Sequence, residues 1–414
     1  MYWQDEGRVM SWASAGIGFV ACAVSLLLGP VPCQAEGSAL ATATERAVGR
    51  LVGEQTGDGP FVGAWPGEEV YTGSIIAGLA SAFELVCDED AKAAAIAGGE
   101  YVMIAAAGNY YGDEAYALSC LSRISADRDE NPWRRAVEDF YRAVETVAAG
   151  GTQGYVSQFG QAELSQAIFY LAHHAVAAFY VGADDAVLWR QGLVDFLVQV
   201  SDDSADLPIM ALGAATWALA TTGPLDDAPL DPCDIGASYW QGRTFTELPG
   251  MLLSHQVTEG ELAGSFYWRL DHGNAGTGAP AAGHVEETVF GAIGLAAANR
   301  TLRDSEIDDR ILLARDLLSA SINDDGAVTQ HLSLGGGVQS FYAGEVLRGL
   351  AELTSAGNLD LRSVVNGGDF ALWAGRWQED DCADCCDCDR ADLDRNGRVG
   401  ASDLAVLANN WLDP

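Results

Sequence analysis

Basic residues are scarce in this chain of 414 residues, which has 22 Lys and Arg against 59 Asp and Glu and a formal net charge of −37. Lys92 is the only lysine. Nucleic-acid binding depends on clustered basic side chains that displace counterions from phosphate, so a nucleic-acid surface is excluded. A basic helix lying on a membrane surface is excluded for the same reason. Acidity of this kind is typical of a solvated exterior.

The N-terminus carries an apolar run from Met10 to about residue 32, with Arg8 ahead of it and Cys33-Gln34-Ala35 after it. This pattern predicts a secretory signal peptide over residues 1–35, cleaved after Ala35. Gly and Pro end the run near the lower length limit for a span, which argues against a membrane anchor. We therefore expect the mature chain to be secreted, extracellular or periplasmic, without a stable membrane span.

Seven of the nine cysteines remain after that cleavage. Four of them form a cluster near the C-terminus: Cys382, Cys385, Cys386 and Cys388. In an oxidising compartment this spacing favours disulfides over a zinc site, because two separated C-x-x-C pairs are lacking. We expect the other three, Cys87, Cys120 and Cys233, to be buried thiols.

Six segments between residues 36 and 356 are apolar on nearly every side, and most of them alternate with amphipathic, charged helices. The apolar segments begin at Val70, Glu114, Glu163, Asp206, Glu286 and Phe341. A helix that is apolar all round is buried, whereas an amphipathic helix covers a core with one face. The sequence therefore predicts an all-α protein in which two concentric helical layers are built from hairpins.

This alternation resembles the (α/α)₆ toroid of six-hairpin glycosidases, polysaccharide lyases, terpenoid cyclases and protein prenyltransferases. The D-x-D-D and Q-x-x-x-G-x-W motifs of squalene-type cyclases and the G-C-G-E-Q motif of thioester domains are absent from the sequence. No Asp, Cys and His cluster matches the prenyltransferase zinc site. The resemblance leaves two interpretations open for residues 36–356, a carbohydrate-active toroid and a non-catalytic one.

Segments that lead into the apolar helices are rich in aromatic residues, carboxylates and glycine. Aromatic rings stack on the apolar faces of sugars, so these loops predict a saccharide groove at one end of the toroid. The rings that we expect to line it are Trp65, Tyr110, Tyr111, Tyr155, Tyr267 and Trp268. Their alternative role is ordinary core packing.

Glycoside hydrolysis requires one protonated carboxyl and a second, ionised one across the scissile bond. Asp113 with Glu286 or Glu287 is the first candidate pair, and Asp271 with His272 is the next. Acidic residues at helix starts also complement the helix dipole, which is the alternative explanation for their positions. A lyase would instead use a base and a cation, which Tyr267, Arg269 and His272 could supply. We expect His173 and His174, inside an apolar helix, to be structural.

The C-terminal segment from Asp392 to Asp403 has the spacing of a twelve-residue calcium-binding loop. Gly397 stands at the sharp turn, and an apolar helix follows the loop. The predicted Ca²⁺ ligands are Asp392, Asp394, Asn396, the carbonyl of Arg398, and Asp403.

An upstream segment, GGDFALWAGRW from Gly367, repeats ASDLAVLANNW from Ala401. Such a duplicated loop and helix resembles a dockerin type I module, as in secreted proteins of planctomycete-type bacteria. The first repeat has no glycine at its turn position, so we predict one intact Ca²⁺ site in residues 357–414. The resemblance implies attachment to a cohesin-like or cell-surface partner.

Two functions are consistent with these features. The first is a secreted enzyme that cleaves a polysaccharide by hydrolysis or elimination, with its tail serving attachment. The second is a non-catalytic binding or scaffold protein with a calcium-stabilised assembly module. The strong negative charge favours a neutral polysaccharide over an anionic one as the partner.

Overall fold

A computed structural model describes most of the chain. The residues described are 38–125, 131–144, 154, 163–200, 207–230, 239–240, 242–273, 281–332, 335–354, 358–359, 361, 365–380, 382, 387–394 and 397–411. The predicted signal peptide lies outside them, as do Tyr155, Cys233, Cys385, Cys386 and Asn396. Two compact units are present: Ala43–Leu353 forms the first, and the chain from Thr354 belongs to the second.

The described residues are mostly helical. In chain order the helices of the first unit are α1 (Ala39–Glu54), α2 (Thr72–Val86), α3 (Glu89–Ala106), α4 (Gly112–Ile124), α5 (Pro132–Ala143), α6 (Leu164–Val181), α7 (Ala186–Leu197), α8 (Ile209–Thr222), α9 (Leu248–Ser254), α10 (Val285–Leu302), α11 (Ser305–Ser321) and α12 (Ser340–Glu352). A short antiparallel hairpin, β1 (Thr329–His331) and β2 (Gly335–Val338), precedes α12.

Helices α2, α4, α6, α8, α10 and α12 form a closed inner ring, in which each packs on the next and α12 returns to α2. They are the six apolar segments that the sequence predicts to be buried. The intervening α3, α5, α7 and α11 each pack against the inner helix before them and the one after it. The described residues therefore confirm the expected alternation of inner and outer helices.

Glycine allows the inner helices to approach closely. A Cβ atom at Gly78 of α2 would overlap the carbonyl oxygen of Gly344 in α12, and one at Gly213 of α8 would overlap that of Phe290 in α10. Backbones that touch in this way leave no space for side chains between the helices. Both contacts join first or second turns, so the inner helices run parallel with their N-termini at one end, which we call the mouth.

At the opposite end of the ring, ion pairs join neighbouring inner helices. Arg123 at the end of α4 contacts Glu84 of α2 at 3.1 Å, and Arg300 of α10 contacts Glu352 of α12 at 2.6 Å. Both arginines are partly exposed, so solvent screens these ion pairs and each contributes little to stability. Charged groups at this end are thus neutralised in pairs, which contrasts with the carboxyls at the mouth.

Two helices, within Glu69–Val86 and Leu164–Val181, are long and apolar enough to cross a membrane among the residues described. They are the inner helices α2 and α6, and most of each is buried inside the protein. The toroid core accounts for their composition.

The second unit contains α13 (Gly367–Gly375) and α14 (Ala401–Asn409). Its core is formed by Val365, Trp373, Ala374, Cys382, Ala391, Val399 and Leu407. Equivalent positions of the two sequence repeats contribute to it, since Val365 corresponds to Val399 and Trp373 to Leu407. Asp369 and Asp403 occupy the same capping position at the start of each helix.

The cysteines follow the sequence prediction only in part. Cys382 and Cys388 form a disulfide, which confirms cross-linking within the C-terminal cluster. Cys120 is a buried free thiol, as expected. Cys87 is disulfide-bonded, so its prediction as a free thiol is wrong. Cys87 directly follows the last residue of α2 and has a left-handed backbone, so it lies where the chain leaves that helix.

Candidate functional site

Four carboxyl groups lie at the mouth on three different inner helices. Asp113 is in the first turn of α4, Glu286 and Glu287 are in the first turn of α10, and Glu345 is in the second turn of α12. Glu287 is 0% exposed, Glu345 3% and Asp113 9%, whereas Glu286 is half-buried. The structure therefore brings Asp113 and the Glu286–Glu287 pair to the same end of the ring.

Burial raises the pKa of every one of these carboxyls because it disfavours the ionised form. The pKa of Asp113 is raised to about 6 and that of Glu286 to about 7. The pKa values of Glu287 and Glu345 are raised well above the usual range, by burial first and by the charge of Glu286 second. Asp113 is thus the carboxyl that ionises most readily.

Glu287 has no compensating contact for its carboxyl. Neither of its oxygens has a hydrogen-bond partner among the described residues, and the same holds for Oε2 of Glu345. A buried carboxylate without donors is far more costly than a buried carboxylic acid. Both groups therefore favour the protonated state at neutral pH.

Sequence reasoning missed Glu345. The first three turns of α12 are mostly apolar, and Glu345 and Arg348, three positions apart, are the charged residues in them. That pair is the sequence signal for Glu345. A charged pair on a helix that is buried all round has to be matched by something in the protein interior. This pattern distinguishes Glu345 from the acidic residues at helix starts.

Glycines also allow close packing between the helices that carry the site. A Cβ at Gly73 in the first turn of α2 would lie 2.9 Å from Oδ2 of Asp113, and one at Gly112 would overlap the carbonyl oxygen of Tyr170 in α6. Asp113 is therefore fixed between α2 and α6. Its neighbour Glu114 turns back and accepts a hydrogen bond from the backbone N–H of Tyr111 at 2.8 Å, so it caps α4.

Tyrosines surround the carboxyls. Tyr111 is 54% exposed and its ring centroid lies 5.9 Å from that of Tyr170. Tyr71 is 42% exposed and stacks on Phe341 at 4.5 Å. Burial and the nearby Asp113 raise the pKa of Tyr170 to about 12. Exposed rings beside acids are the features that a saccharide site uses.

Two of the rings that were predicted to line the groove are buried instead, so the prediction is wrong for both. Trp65 is 0% exposed, and its indole N–H donates to the carbonyl of Leu51 at 2.8 Å. Tyr110 is 4% exposed and packs edge-on against Phe140. Both loops direct these rings into the hydrophobic core, because burying their large apolar area stabilises the fold more than exposing it would.

Residues 265–272 form a second part of the mouth. The backbone N–H of Ile209, at the start of α8, donates to the carbonyl of Trp268 at 3.0 Å, and the Trp268 ring packs on His284 before α10. Tyr267 stacks on His272 with 3.8 Å between ring centroids. Trp268 and Tyr267 thus lie beside the first turn of α10 and are half-buried, and their role in a saccharide groove stays a prediction.

Asp271 and His272 do not join the carboxyl cluster in the way a catalytic pair would. Asp271 accepts from the backbone N–H of Gly273 at 2.8 Å and shapes a turn. His272 has a left-handed backbone (φ 58°), and partial desolvation of its ring, followed by the nearby His255, lowers its pKa. Both residues are exposed, in contrast to the four mouth carboxyls.

The tail brings three of its predicted Ca²⁺ ligands together. Ligand oxygens of Asp392, Asp394 and Asp403 all lie within 4.8 Å of one another. Gly397 has φ +89°, and its N–H donates to Oδ2 of Asp392 at 2.8 Å. Asp403 is fully buried and Asp392 is 5% exposed. Three converging carboxylates repel one another unless a cation offsets them, so this donor set fits Ca²⁺.

No protein-family model and no curated protein matches the sequence. Among solved structures, the fold is similar to the GH76A alpha-1,6-mannanase from Salegentibacter sp. HEL1_6. The TM-score is 0.51 at 10% identity, over 76% of this chain and 98% of that one. The Lin0763 protein from Listeria innocua is similar at a TM-score of 0.49 and 10% identity, over 75% of this chain and 96% of that one. The likeness to the mannanase supports the predicted α/α toroid as the fold.

Proposed function

We propose that this protein is a secreted glycoside hydrolase that cleaves a polysaccharide at the mouth of its toroid. The observation that carries this proposal is the convergence of Asp113, Glu286, Glu287 and Glu345 beside exposed tyrosines. Two carboxyls with unequal pKa values are what glycoside hydrolysis needs, since one must donate a proton while the other is ionised.

Asp113 is the base or nucleophile in this proposal, because it ionises most readily of the four. The proton donor comes from the Glu286–Glu287 pair on the facing helix α10. Glu286 suits that role because it is half-buried and so accessible from the mouth, with a pKa of about 7. Glu287, fully buried next to it, stays protonated, because burial and the charge of an ionised Glu286 both raise its pKa.

The structural neighbour supports a polysaccharide substrate, since its name describes an alpha-1,6-mannanase. A neutral glycan suits the chain better than an anionic one, because the net charge is −37 and the cluster itself is acidic. We propose Tyr111 and Tyr71 as stacking platforms, with Tyr267 and Trp268 on the α10 side.

The tail is proposed to bind one Ca²⁺ through Asp392, Asp394, Asn396, Asp403 and the carbonyl of Arg398. The ion would order the second loop and stabilise the start of α14. Export by the predicted signal peptide would place this module where millimolar Ca²⁺ is available. Attachment to a cohesin-like or cell-surface partner is the function that the dockerin resemblance implies for it.

The test begins with the purified mature chain and a panel of glycans: α-mannan, xylan, β-glucan, alginate and pectin. Release of reducing ends without unsaturated sugars supports hydrolysis. Unsaturated products would indicate elimination and move the chemistry to Tyr267, Arg269 and His272. Binding to a glycan without turnover would establish the non-catalytic alternative.

On the glycan that is cleaved, D113N and E286Q should each reduce kcat at least a hundredfold, since each removes an acid or base group. Glu306→Gln is the matched control, because Glu306 is exposed on α11 and lies outside the mouth. Wild-type rates for D113N and for E286Q would refute the assignment. The pH profile of the wild type should be bell-shaped with a maximum at about 6.5, between the pKa values of Asp113 and Glu286.

A further inference from the structure

Below the mouth carboxyls lies a buried cation that the proposed chemistry does not yet use. Arg348 is 3% exposed and stands three residues after Glu345 on α12. Its guanidinium carbon lies 4.2 Å from the ring centroid of Tyr116, 4.4 Å from that of Trp217 and 5.1 Å from that of Phe290. Rings from three other inner helices therefore surround it in the centre of the toroid.

The hydrogen-bond partner of Arg348 is a neutral histidine. NH1 donates to Nε2 of His173 at 2.7 Å. Nδ1 of His173 lies 2.9 Å from the carbonyl oxygen of Phe169, which can only accept, so Nδ1 carries the ring proton. Burial, with the charge of Arg348, lowers the pKa of His173 well below its usual range. His173 is thus structural, as expected, and acts as a fixed acceptor.

The positive charge of Arg348 is not paired with a carboxylate. In the part of the chain that is described, no carboxylate forms an ion pair with it within 4 Å, and its Nε and NH2 atoms are buried without a hydrogen-bond partner. Arg123 and Arg300 at the opposite end each have a glutamate partner. The field of Arg348 therefore acts on carboxyls with which it forms no ion pair, namely Asp113 and Glu345 at the mouth and Glu352 at the opposite end.

One buried cation can offset one buried anion, and the mouth holds four buried or half-buried carboxyls. The pKa of Asp113 is raised by burial, and the backbone N–H groups of Asp113 and Glu114, followed by the charge of Arg348, partly counteract that rise. Arg348 counteracts the rise for Glu345 as well, against the repulsion from Glu286. Ionisation of one carboxyl and protonation of the others is the arrangement with the least uncompensated buried charge.

We propose that Arg348 is the positioning residue that keeps Asp113 ionised while the neighbouring glutamates keep their protons. This inference rests on the proposed function in one respect, since Asp113 is the base or nucleophile in the proposed hydrolysis. Arg348 reaches no substrate in this proposal. It acts through the carboxyl cluster, and His173 and the three rings hold its guanidinium in place.

Titratable or charged groups face this cluster from several elements. They are Tyr71 before α2, Asp113, Glu114, Tyr116 and Cys120 on α4, Tyr170 and His173 on α6, Glu286 and Glu287 on α10, and Tyr342, Glu345 and Glu352 on α12. Helix α8 presents Trp217, which does not titrate. Arg348 is the single cation of this set, so removing it leaves acids and neutral groups.

The experiment replaces Arg348 by neutral residues, R348M and R348Q, and by lysine, R348K. Carboxyl titration is followed by infrared difference spectroscopy on the full mature chain, which requires no glycan, and R300M is the matched control at the opposite end. The carboxyl titration that is missing in D113N, and so belongs to Asp113, should move up by about one pH unit in the neutral variants and should stay close to its wild-type position in R348K. A one-unit shift corresponds to a tenfold lower ionised fraction on the acidic side.

With an identified glycan, the acidic limb of the kcat profile should shift by the same amount in R348M or R348Q, with R348K close to wild type. A lower rate with an unchanged carboxyl titration would overturn the proposal and leave Arg348 a packing residue. An equal shift in R300M would also overturn it. A shifted titration in a protein that cleaves no glycan would support the role of Arg348 and refute the proposed hydrolase function, so the two failures are distinguishable.

Discussion

Replacing Glu287 with glutamine should make the folded protein more stable at neutral pH and leave its stability near pH 4.5 almost unchanged. Glu287 is fully buried and neither carboxyl oxygen has a hydrogen-bond partner among the described residues. Glutamine has nearly the same shape but cannot ionise. The comparison therefore isolates the cost of keeping an acid protonated inside the protein.

The sign follows from the pKa values of the two states. Burial raises the pKa of Glu287 in the folded protein well above its ordinary value of 4.5. Below pH 4.5 the group is protonated in both states and contributes no difference. Above pH 4.5 the unfolded chain releases the proton and the folded chain retains it, so stability falls as pH rises toward the folded-state pKa.

Each pH unit in that window lowers the free energy of unfolding by about 1.4 kcal/mol. Between pH 4.5 and pH 7 the sum reaches an upper bound of about 3 to 4 kcal/mol if Glu287 stays protonated throughout. Partial ionisation, or sharing of protons with Glu286 and Glu345, reduces the effect. A measurable gain of 1 to 3 kcal/mol for E287Q at pH 7 is thus expected, as an order of magnitude.

Urea unfolding followed by far-UV circular dichroism at pH 4.5, 5.5 and 7 measures the difference directly. E45Q serves as the control, because Glu45 is exposed on α1. The stability difference between E287Q and wild type should grow with pH, whereas that for E45Q should not. A difference that is constant with pH, or a loss of stability that grows toward pH 7, would refute the conclusion that Glu287 is held protonated.

Two further predictions concern packing and calcium. Gly78→Ala should destabilise the toroid by about 1 to 3 kcal/mol, because the added methyl overlaps the Gly344 carbonyl, whereas Gly49→Ala on exposed α1 should be neutral or slightly stabilising. Thermal unfolding measures both, and equal effects would contradict the close contact of α2 with α12. Removing Ca²⁺ with EGTA should expose the tail from Glu379 onward to protease while most far-UV helix signal remains, and D403N should behave likewise with Ca²⁺ present. Wholesale loss of helix on chelation would instead place the ion inside the toroid.

Much of the fold could be predicted because its signals are local. The apolar segments beginning at Val70, Glu163 and Phe341 match inner helices, since a helix without a polar face has no stable position except inside. The acidic loop predicted to bind Ca²⁺ is equally local, and its spacing brings Asp392, Asp394 and Asp403 together. The repeat of the tail also predicted its two capped helices.

The site could be predicted only in part. Asp113 and Glu286 are candidates on sequence because they stand at helix starts next to aromatic loops. Trp65 has the same sequence context as Tyr111, yet one ring is buried and the other is 54% exposed. Loop sequence does not specify which way a ring turns, because the choice depends on the space left by helices distant in the chain. Glu345 was missed since it lies inside a helix.

The sequence by itself determined the helical hairpins, the separation of toroid and tail, and the spacing of the predicted calcium ligands, because each depends on spacing over a few turns or a dozen residues. Only the tertiary structure decided which acids share the mouth and which cation acts on them. Asp113, Glu287 and Arg348 are far apart in the chain and meet because α12 closes the ring against α2. Burial at that junction, where water and counterions are excluded, gives ordinary carboxyls their unequal proton affinities.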